Sequence, residues 1–518
     1  MIPGPVFRRV DLLRSGAARL LAAPLFFLAV SHGLAADSSG FVRTAGSGLS
    51  LAGRPFYAVG VNSYFLQELA ARGDTGRVHQ IFRQAHQLGL TAIRTWAFHD
   101  APDSTDPASI QWGPGLTNEA GLRGLDFVLA RAPLYGLRLI LPLVNNWDDY
   151  GGMNQYVRWY ARTRPGEAGT TRPDSAVSGP GGRSYLLRPA GSFAHDDFYR
   201  IPEIREWYRL HIFTLLTRVN TLNNIPYRDD PAVLMWELAN EPRSSDPTGE
   251  TVHAWLGEMS AFLKSVDPRH LLASGEEGLE TSGEGYSDPS CYGDRQWLFD
   301  GTGGVSYARN LSLPWLDAAV AHCYPEAWGL SFNEARLWAE EHRRLARQAG
   351  KPFLLEEAGS RVHPLFLFQM LFADAFYGGS AGILPWQMVY DGRPGNDGYA
   401  FSCPANAGIC RLLGAWGGAF AAKSAGDFPL PSSTALLGSY PNPFNAAAVV
   451  SFTLSSPMFV RLTVWDALGR RVALLAEGDT NPGIHYSVFQ PGNAASGVYY
   501  LLLETPAGAF VCPLVRVK

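Results

Sequence analysis

Eight times between residues 56 and 389 the chain returns to a short apolar run, and the stretches between are mostly helix-like. The runs cover residues 56–61, 91–98, 137–144, 233–240, 271–275, 317–324, 353–357 and 382–388. Runs that are apolar on both faces suit parallel strands covered by helices. One intervening helix is clear over 204–222, with apolar residues three and four apart behind Pro202. Eight such strands alternating with helices predict an α/β fold, a (β/α)8 TIM barrel with insertions. Two runs end in carboxylates: 233–240 leads into Trp236-Glu237-Leu238-Ala239-Asn240-Glu241-Pro242-Arg243, and 353–357 into Glu356-Glu357-Ala358-Gly359. A strand ending in an acid makes a poor core but a good barrel rim, where this fold places its chemistry. Two such sites more than a hundred residues apart suggest the paired carboxyl groups that cleave a glycosidic bond.

The 518 residues leave room for more than the barrel. With 46% hydrophobic and 17% charged residues the chain is globular, and a net charge of −4 gives no footing for nucleic acid or an anionic membrane. Residues 1–36 read as an export signal. Arg8, Arg9, Arg14 and Arg19 precede an apolar stretch over 20–30, and small residues follow at Gly33, Ala35 and Ala36. Secretion, to the extracellular space or cell surface, is therefore expected. Among the five cysteines, Cys403 and Cys410 flank a short loop and form the candidate disulfide, while Cys323 reads as a small buried hydrophobe. The cysteine spacings do not match a zinc site.

The catalytic domain is expected to span 37–420. Its one long insertion, 161–194, is rich in Gly, Pro, Arg, Ser and Thr, and reads as a loop that either borders the cleft or is a surface excursion. Residues 421–437 read as a linker. Beyond it, 438–518 alternates in short strand-like runs between Gly, Pro and Asn turns, a small β-sandwich.

Residues 41–420 resemble glycoside hydrolase family 5, and within it the endo-β-1,4-mannanases. Gly60-Val61-Asn62, Ile93-Arg94-Thr95-Trp96-Ala97-Phe98, Leu143-Val144-Asn145-Asn146-Trp147-Asp148, Trp236 to Arg243, Gly275-Glu276-Glu277-Gly278 and His322-Cys323-Tyr324-Pro325 carry the resemblance in order. It implies that Glu241 is the acid/base and Glu357 the nucleophile of a retaining hydrolysis. Ala358 departs from the aromatic residue that follows the nucleophile in the family. Because side chains alternate along a strand, Glu356 is expected to face away from the barrel and to be structural. Asn240 is expected to hold the sugar 2-hydroxyl, yet it adjoins Glu241, and the same alternation would send the two apart unless the chain bends there.

Glu241 must begin protonated, so a raised pKa is expected from burial and from the negative nucleophile. Arg94 is expected to keep Glu357 ionised. His322 and Tyr324, on alternate positions, are expected to orient the nucleophile and sugar, and Trp386 to form the platform under the sugar. Trp96, Trp147 and Trp328 either line neighbouring subsites or are ordinary packing. Arg243 either contacts sugar on the leaving-group side or forms a surface salt bridge. Glu237 reads as a hydrogen-bonded carboxylate inside the barrel, and the 275–278 segment as one substrate contact at most. Neither metal nor cofactor is expected; the adjacent His195-Asp196-Asp197 are poorly placed to converge on one ion.

In the tail, Ser439-Tyr440-Pro441-Asn442-Pro443-Phe444-Asn445, Val464-Trp465-Asp466-Ala467-Leu468-Gly469-Arg470 and Ser496-Gly497-Val498-Tyr499-Tyr500 resemble the C-terminal sorting domains of type IX secretion. A stability module or a carbohydrate-binding module is the competing reading. Together these features predict a secreted, monomeric endo-β-1,4-mannanase acting on mannan, glucomannan or galactomannan, with the secretion machinery as its protein partner. Another family 5 activity, endoglucanase or transglycosylase, is the nearest alternative. A non-catalytic carbohydrate-binding surface protein is the alternative from a different class.

Overall fold

All eight apolar runs become strands of one parallel sheet in the computed structural model: β1 (Ala58–Asn62), β2 (Ala92–Arg94), β3 (Arg138–Pro142), β4 (Val233–Glu237), β5 (Leu271–Ala273), β6 (Ala319–Cys323), β7 (Phe353–Ala358) and β8 (Gly382–Pro385). The structure describes residues 40–163, 175–178, 184–187 and 194–517, apart from 284, 288, 294, 394–396, 404, 427–432, 441, 446, 481 and 493. The expected signal at 1–36 lies outside them. Neighbours run β5-β4-β3-β2-β1-β8-β7-β6. Loop bonds bridge the remaining gap: Asp317 N–H donates to Leu272 O at 2.8 Å and His322 N–H to Glu277 O at 3.1 Å. The result is a nearly closed (β/α)8 barrel.

Strand alternation builds its interior in two storeys. Ala58, Ala92, Ile140, Met235, Val320, Leu354 and Leu384 fill the lower one. Toward the C-terminal ends the same inward parity turns polar at Asn62, Arg94, Glu237, His322 and Glu356, all fully buried. Helices such as Pro202–Thr217, with proline in its first turn, cover the outside with Ile204, Tyr208, Ile212 and Leu215.

Two expected boundaries shift. The 161–194 segment is not all loop: helix Gly152–Thr163 reaches into it, and Ser175–Ser178 pairs antiparallel with Ser184–Leu187. The linker expected at 421–437 is shorter at both ends. Helix Ala407–Ala425 runs through its start, because Ala-rich sequence favours helix and Phe420 is buried against the barrel. Gly426, at φ +81, ends that helix. At the other end, Ala435–Tyr440 is already a strand of the sandwich.

The sandwich stacks a three-stranded sheet, β9 (Ala435–Tyr440), β10 (Ala448–Leu454) and β13 (Gly483–Phe489), on a four-stranded one, β12 (Arg471–Thr480), β11 (Met458–Asp466), β14 (Gly497–Thr505) and β15 (Gly508–Arg516). Val450, Phe452, Val460, Leu462, Val464, Leu501 and Leu503 form its core. It is seated on the barrel: Val488 joins the barrel's hydrophobic cluster, and Tyr377 of helix Pro364–Gly378 meets His485 with rings 6.1 Å apart. Cys403 and Cys410 form the expected disulfide, and Cys323 is a buried free thiol. Among the described residues no helix is long and apolar enough to cross a membrane.

Gly483 fixes this seat. It lies at φ +139, and a Cβ there would stand 2.3 Å from the Tyr377 ring. Gly483→Ala is expected to cost about 1–3 kcal/mol, read as a lower Tm by calorimetry with unchanged hydrolysis of soluble substrate at 25 °C. An unchanged Tm would mean that this contact does not hold the sandwich.

Candidate active site

Arg94 is the centre from which the site is built. As the last residue of β2 it points inward above Ala92 and is 1% exposed. Its Nε donates to Glu237 Oε2 at 3.0 Å, Nη2 to Asn240 Oδ1 at 2.8 Å, and Nη1 to Glu357 Oε1 at 2.5 Å and Asn62 Oδ1 at 3.3 Å. Burial by itself would lower the arginine's pKa, but Glu237, Glu357 and Glu356 outweigh it and the pKa rises. Glu237 is therefore the buried, hydrogen-bonded carboxylate expected inside the barrel. Its own pKa is pushed well up by burial, against the pull of Arg94 and with a further push from Glu356.

The bend that Asn240 and Glu241 require is a backbone feature of Glu241, which sits at φ +51. A non-glycine residue there costs on the order of 1–3 kcal/mol and persists only where its surroundings hold it. Those surroundings are opposed hydrogen bonds. Asn240 N–H donates to Val144 O beyond β3, and Glu241 N–H donates to Gly275 O beyond β5, both at 2.7 Å. Gly275 must be glycine: its φ is +76, and a Cβ would stand 1.8 Å from Ala239 O. The turn thus sends both side chains into one cleft.

A different device serves the second carboxylate, and it corrects the expectation for Glu356. On β6 and β7, Ala321 pairs with Leu355 but His322 pairs with Glu357, so two residues of β7 oppose one step of β6. The same irregularity appears against β8, between Leu355 and Ala358. This β-bulge lets neighbours share a side of the sheet. Glu356 keeps the inward parity of Leu354, and Glu357 is re-aimed into the cleft. Both are buried.

Glu357 Oε1 takes the Arg94 bond, and the Tyr324 hydroxyl donates to Oε2 at 2.5 Å. Burial raises the Glu357 pKa, His322 and Arg94 pull it down, Glu241 pushes it up again, and the net direction is up. Arg94 favours the ionised form of Glu357, as expected, while burial opposes it. Nδ1 of His322 lies 2.9 Å from Glu241 Oε1 and 3.5 Å from Glu357 Oε2. Burial would lower the His322 pKa, but Glu357, Glu241 and Glu356 raise it to about 10, so the ring is an imidazolium at neutral pH. Trp147 Nε1 donates to the other Glu241 oxygen at 2.6 Å.

Glu241, His322 and Glu357 each offer an atom within 4.8 Å of the others. That separation brings two carboxyl groups to either side of a bond to be cut. It does not suit a metal ion, since Arg94, Tyr324 and Trp147 already occupy the carboxylate oxygens and two cationic side chains stand against them.

An aromatic wall flanks the pair. Trp386, just after β8, stacks on Tyr64 at 5.5 Å and 7°, and donates Nε1 to Asp397 Oδ2 at 2.7 Å. The Trp386–Gln387 peptide is cis. Trp96 is 5% exposed and packs behind them on Tyr64 and Phe98, so it supports the wall more than it faces the cleft. Trp328 is buried among Trp297, Trp338 and Tyr324, which settles it as packing. Arg243 is not a surface residue: it is 6% exposed, bonds Glu277 Oε2 at 2.5 Å, and lies over the Trp147 ring. Glu276 faces elsewhere, toward Ser274 and Asn310, and burial raises its pKa to about 8. Where Ala358 replaces an aromatic, Tyr399 packs edge-on against Tyr324 at 5.1 Å, beside Gly359.

Sequence reasoning missed Tyr64 and Asp397, quoted Asn62 in a motif without giving it a role, and knew Trp147 only as a subsite candidate. The Asn145-Asn146-Trp147 motif held the signal: Asn145 accepts from Asn240 Nδ2 at 3.0 Å and Asn146 from Arg243 N–H at 3.1 Å. Asp397 lies in a loop that only the fold returns to Trp386.

Residues 39–363 match the family described as GH family 5 beta-mannosidase-like. The chain is 37% identical over 404 residues to putative mannan endo-1,4-beta-mannosidase 5 of Oryza sativa subsp. japonica, covering 73% of this chain and 76% of that one. It is 34% identical over 388 residues to mannan endo-1,4-beta-mannosidase 7 of Arabidopsis thaliana, covering 70% and 82%. Among solved structures it is similar to the endo-beta-1,4-mannanase from Thermotoga petrophila, with TM-score 0.65, 25% identity, and 89% and 98% of the two chains covered. The endo-1,4-beta-mannanase from Rhizomucor miehei gives TM-score 0.61, 28% identity, and 74% and 99% coverage.

The charged His322 ties stability to pH. Its folded pKa, about 10, lies above the 6.5 of a free imidazole, so its contribution is full below 6.5 and lost as pH rises through 10. The stability gap between the wild type and His322→Gln is expected to be a few kcal/mol at pH 6 and to shrink toward pH 10.5, measured by urea unfolding. A gap independent of pH would show a neutral ring.

Proposed function

This chain belongs to glycoside hydrolase family 5 and is a glycoside hydrolase, and we propose that it is a retaining endo-β-1,4-mannanase. The observation that carries this reading is the approach of Glu241 and Glu357, whose nearest atoms lie within 4.8 Å of each other. Retaining enzymes need carboxyl groups ~5–5.5 Å apart, whereas inverting ones leave room for a water at ~6.5–9.5 Å. Relatives and structural neighbours named as endo-β-1,4-mannosidases or mannanases support the polymer and the internal cleavage.

In the first step Glu357 attacks the anomeric carbon while Glu241 gives its proton to the departing glycosidic oxygen. Arg94 and the Tyr324 hydroxyl hold the two oxygens of Glu357, fixing the line of attack. Asn240, itself held by Arg94 and Asn145, would bond the sugar 2-hydroxyl as charge develops at the ring. In the second step Glu241, now a carboxylate steadied by Trp147 and His322, draws a proton from water, and that water releases the sugar from Glu357. Trp386 supplies the platform for the ring at the cleavage point, and Arg243 borders the leaving-group side.

The substrates we propose are mannan, glucomannan and galactomannan, met outside the cell. Residues 1–36 would export the chain, and the sandwich would serve as its secretion sorting module. Deleting 438–518 would then retain the enzyme inside the cell envelope of its source organism.

Reducing-end assays are expected to show cleavage of galactomannan in preference to carboxymethylcellulose; activity on the cellulose alone would overturn the mannan assignment. Glu357→Gln should lower kcat by about 10³-fold or more. Glu241→Ala should lose polysaccharide hydrolysis yet still be glycosylated by a mannoside whose leaving group needs no proton. Proton NMR of the first product from a manno-oligosaccharide is expected to show the β-anomer, and the α-anomer would refute retention.

A further inference from the structure

The two-step chemistry gives no part to Glu356, a buried carboxyl group of the site. Glu356 is fully buried, and neither of its oxygens accepts an aligned hydrogen bond among the described residues. One of them lies 3.4 Å from Nε2 of His322, a nitrogen in the same condition. An isolated carboxyl there is costly unless charge offsets it. The groups around it come from every wall of the barrel. Arg94 approaches from β2, Glu237 from β4, Glu241 and Glu277 from the segments after β4 and β5, and Glu357 from β7. Tyr324 lies just beyond the strand that carries His322, Tyr307 is within electrostatic reach of Glu356, and Trp338 donates to the His322 carbonyl at 2.9 Å. Glu241 and Glu357 meet the imidazole on its Nδ1 side; Glu356 meets it on the Nε2 side.

We propose that Glu356 is a positioning residue for glycoside cleavage: turned inward beside the β7 bulge, its carboxylate holds the Nε2 side of His322, so that Nδ1 remains a donor aimed at Glu241. An imidazole between carboxylates on both sides keeps both protons and one orientation. With Glu356 neutralised, the ring is free to become a neutral tautomer whose Nδ1 accepts, and Glu241 loses the donor that steadies it as a base. The bulge therefore serves two ends: it aims the nucleophile and leaves room for the residue that governs the acid/base partner's neighbour. This rests on the reading of Glu241 and Glu357 as the catalytic pair.

The test uses the full-length chain with Glu356→Gln, an isosteric change. On mannohexaose, KM is expected to stay within about twofold while kcat falls about tenfold. The alkaline limb of kcat/KM, which reports ionisation of the acid Glu241, moves about one pH unit higher because the donor favouring ionised Glu241 is lost. Glu356→Asp should recover part of the limb. In a His322→Ala background the Glu356→Gln change should alter kcat less than about twofold, because its effect passes through the ring. A wild-type limb and kcat, a lower Tm with no limb shift, or an undiminished loss without His322 would each overturn the proposal. Nitrogen-15 NMR of labelled histidine keeps the test open if the variant does not fold: in the wild type both His322 nitrogens should be protonated at pH 8, and a neutral ring would overturn it. The same spectrum separates the two readings, since a wild type that cleaves no mannan but shows the doubly protonated ring fails the proposed function and not this one.

Discussion

The Arg94 guanidinium, buried on the barrel axis, is the interaction on which the remainder of the site depends. Its donors run to Glu237, Asn240, Glu357 and Asn62, which come from β4, the turn after it, β7 and β1. One side chain thus sets the relative height of strands that are distant in sequence. Removing a buried partner from such a cluster strands the others without compensation, so its members stand or fall together. With His322 it supplies two cations against Glu237, Glu241, Glu356 and Glu357. That imbalance, in a dry interior, explains why protons are held tightly here: the Glu237 and Glu357 pKa values rise, and so does that of the His322 imidazole.

The barrel was legible because its eight strands are apolar on both faces and punctuated by helices, the pattern of parallel strands covered from outside. Glu241, Glu357, Arg94, His322 and Tyr324 were legible because each ends a strand or follows one in an ordered motif. What escaped was backbone geometry. Strict alternation predicts that Glu356 turns away from Glu357, and that Asn240 and Glu241 part company; a bulge and a left-handed residue defeat it in turn. Neither leaves a mark in composition, since the bulge contains no glycine and Glu241 is not a residue that prefers φ > 0. Both irregularities fall at the two carboxylates that we propose react, Glu241 and Glu357, and are held by neighbouring strands.

The linker was misread for a related reason. Gly-Ala-Phe-Ala-Ala-Lys looks like a spacer because its residues are small, yet Phe420 and Trp416 give the helix a buried side, and Lys423 lies over the Phe376 ring at 4.4 Å. Small residues there allow close helix packing instead of freedom. The sandwich that follows is accordingly seated on the barrel, through β13 and helix Pro364–Gly378, on a surface separate from the cleft.

The Cys403–Cys410 bond closes the segment that follows the Asp397 loop and opens into helix Ala407–Ala425, while Gln84, on the neighbouring helix Thr75–Gln87, anchors the Cys403 carbonyl. Asp397 in turn orients the Trp386 indole and the Gln387 amide. The segment that holds the Trp386 indole is therefore continued by a short covalent loop whose formation depends on the redox state of the compartment in which the chain matures. Without that bond the Met388–Phe401 bridge and the bond from Trp386 N–H to Ala358 O would still hold the indole, so the loss would fall on the short stretch between Phe401 and the helix.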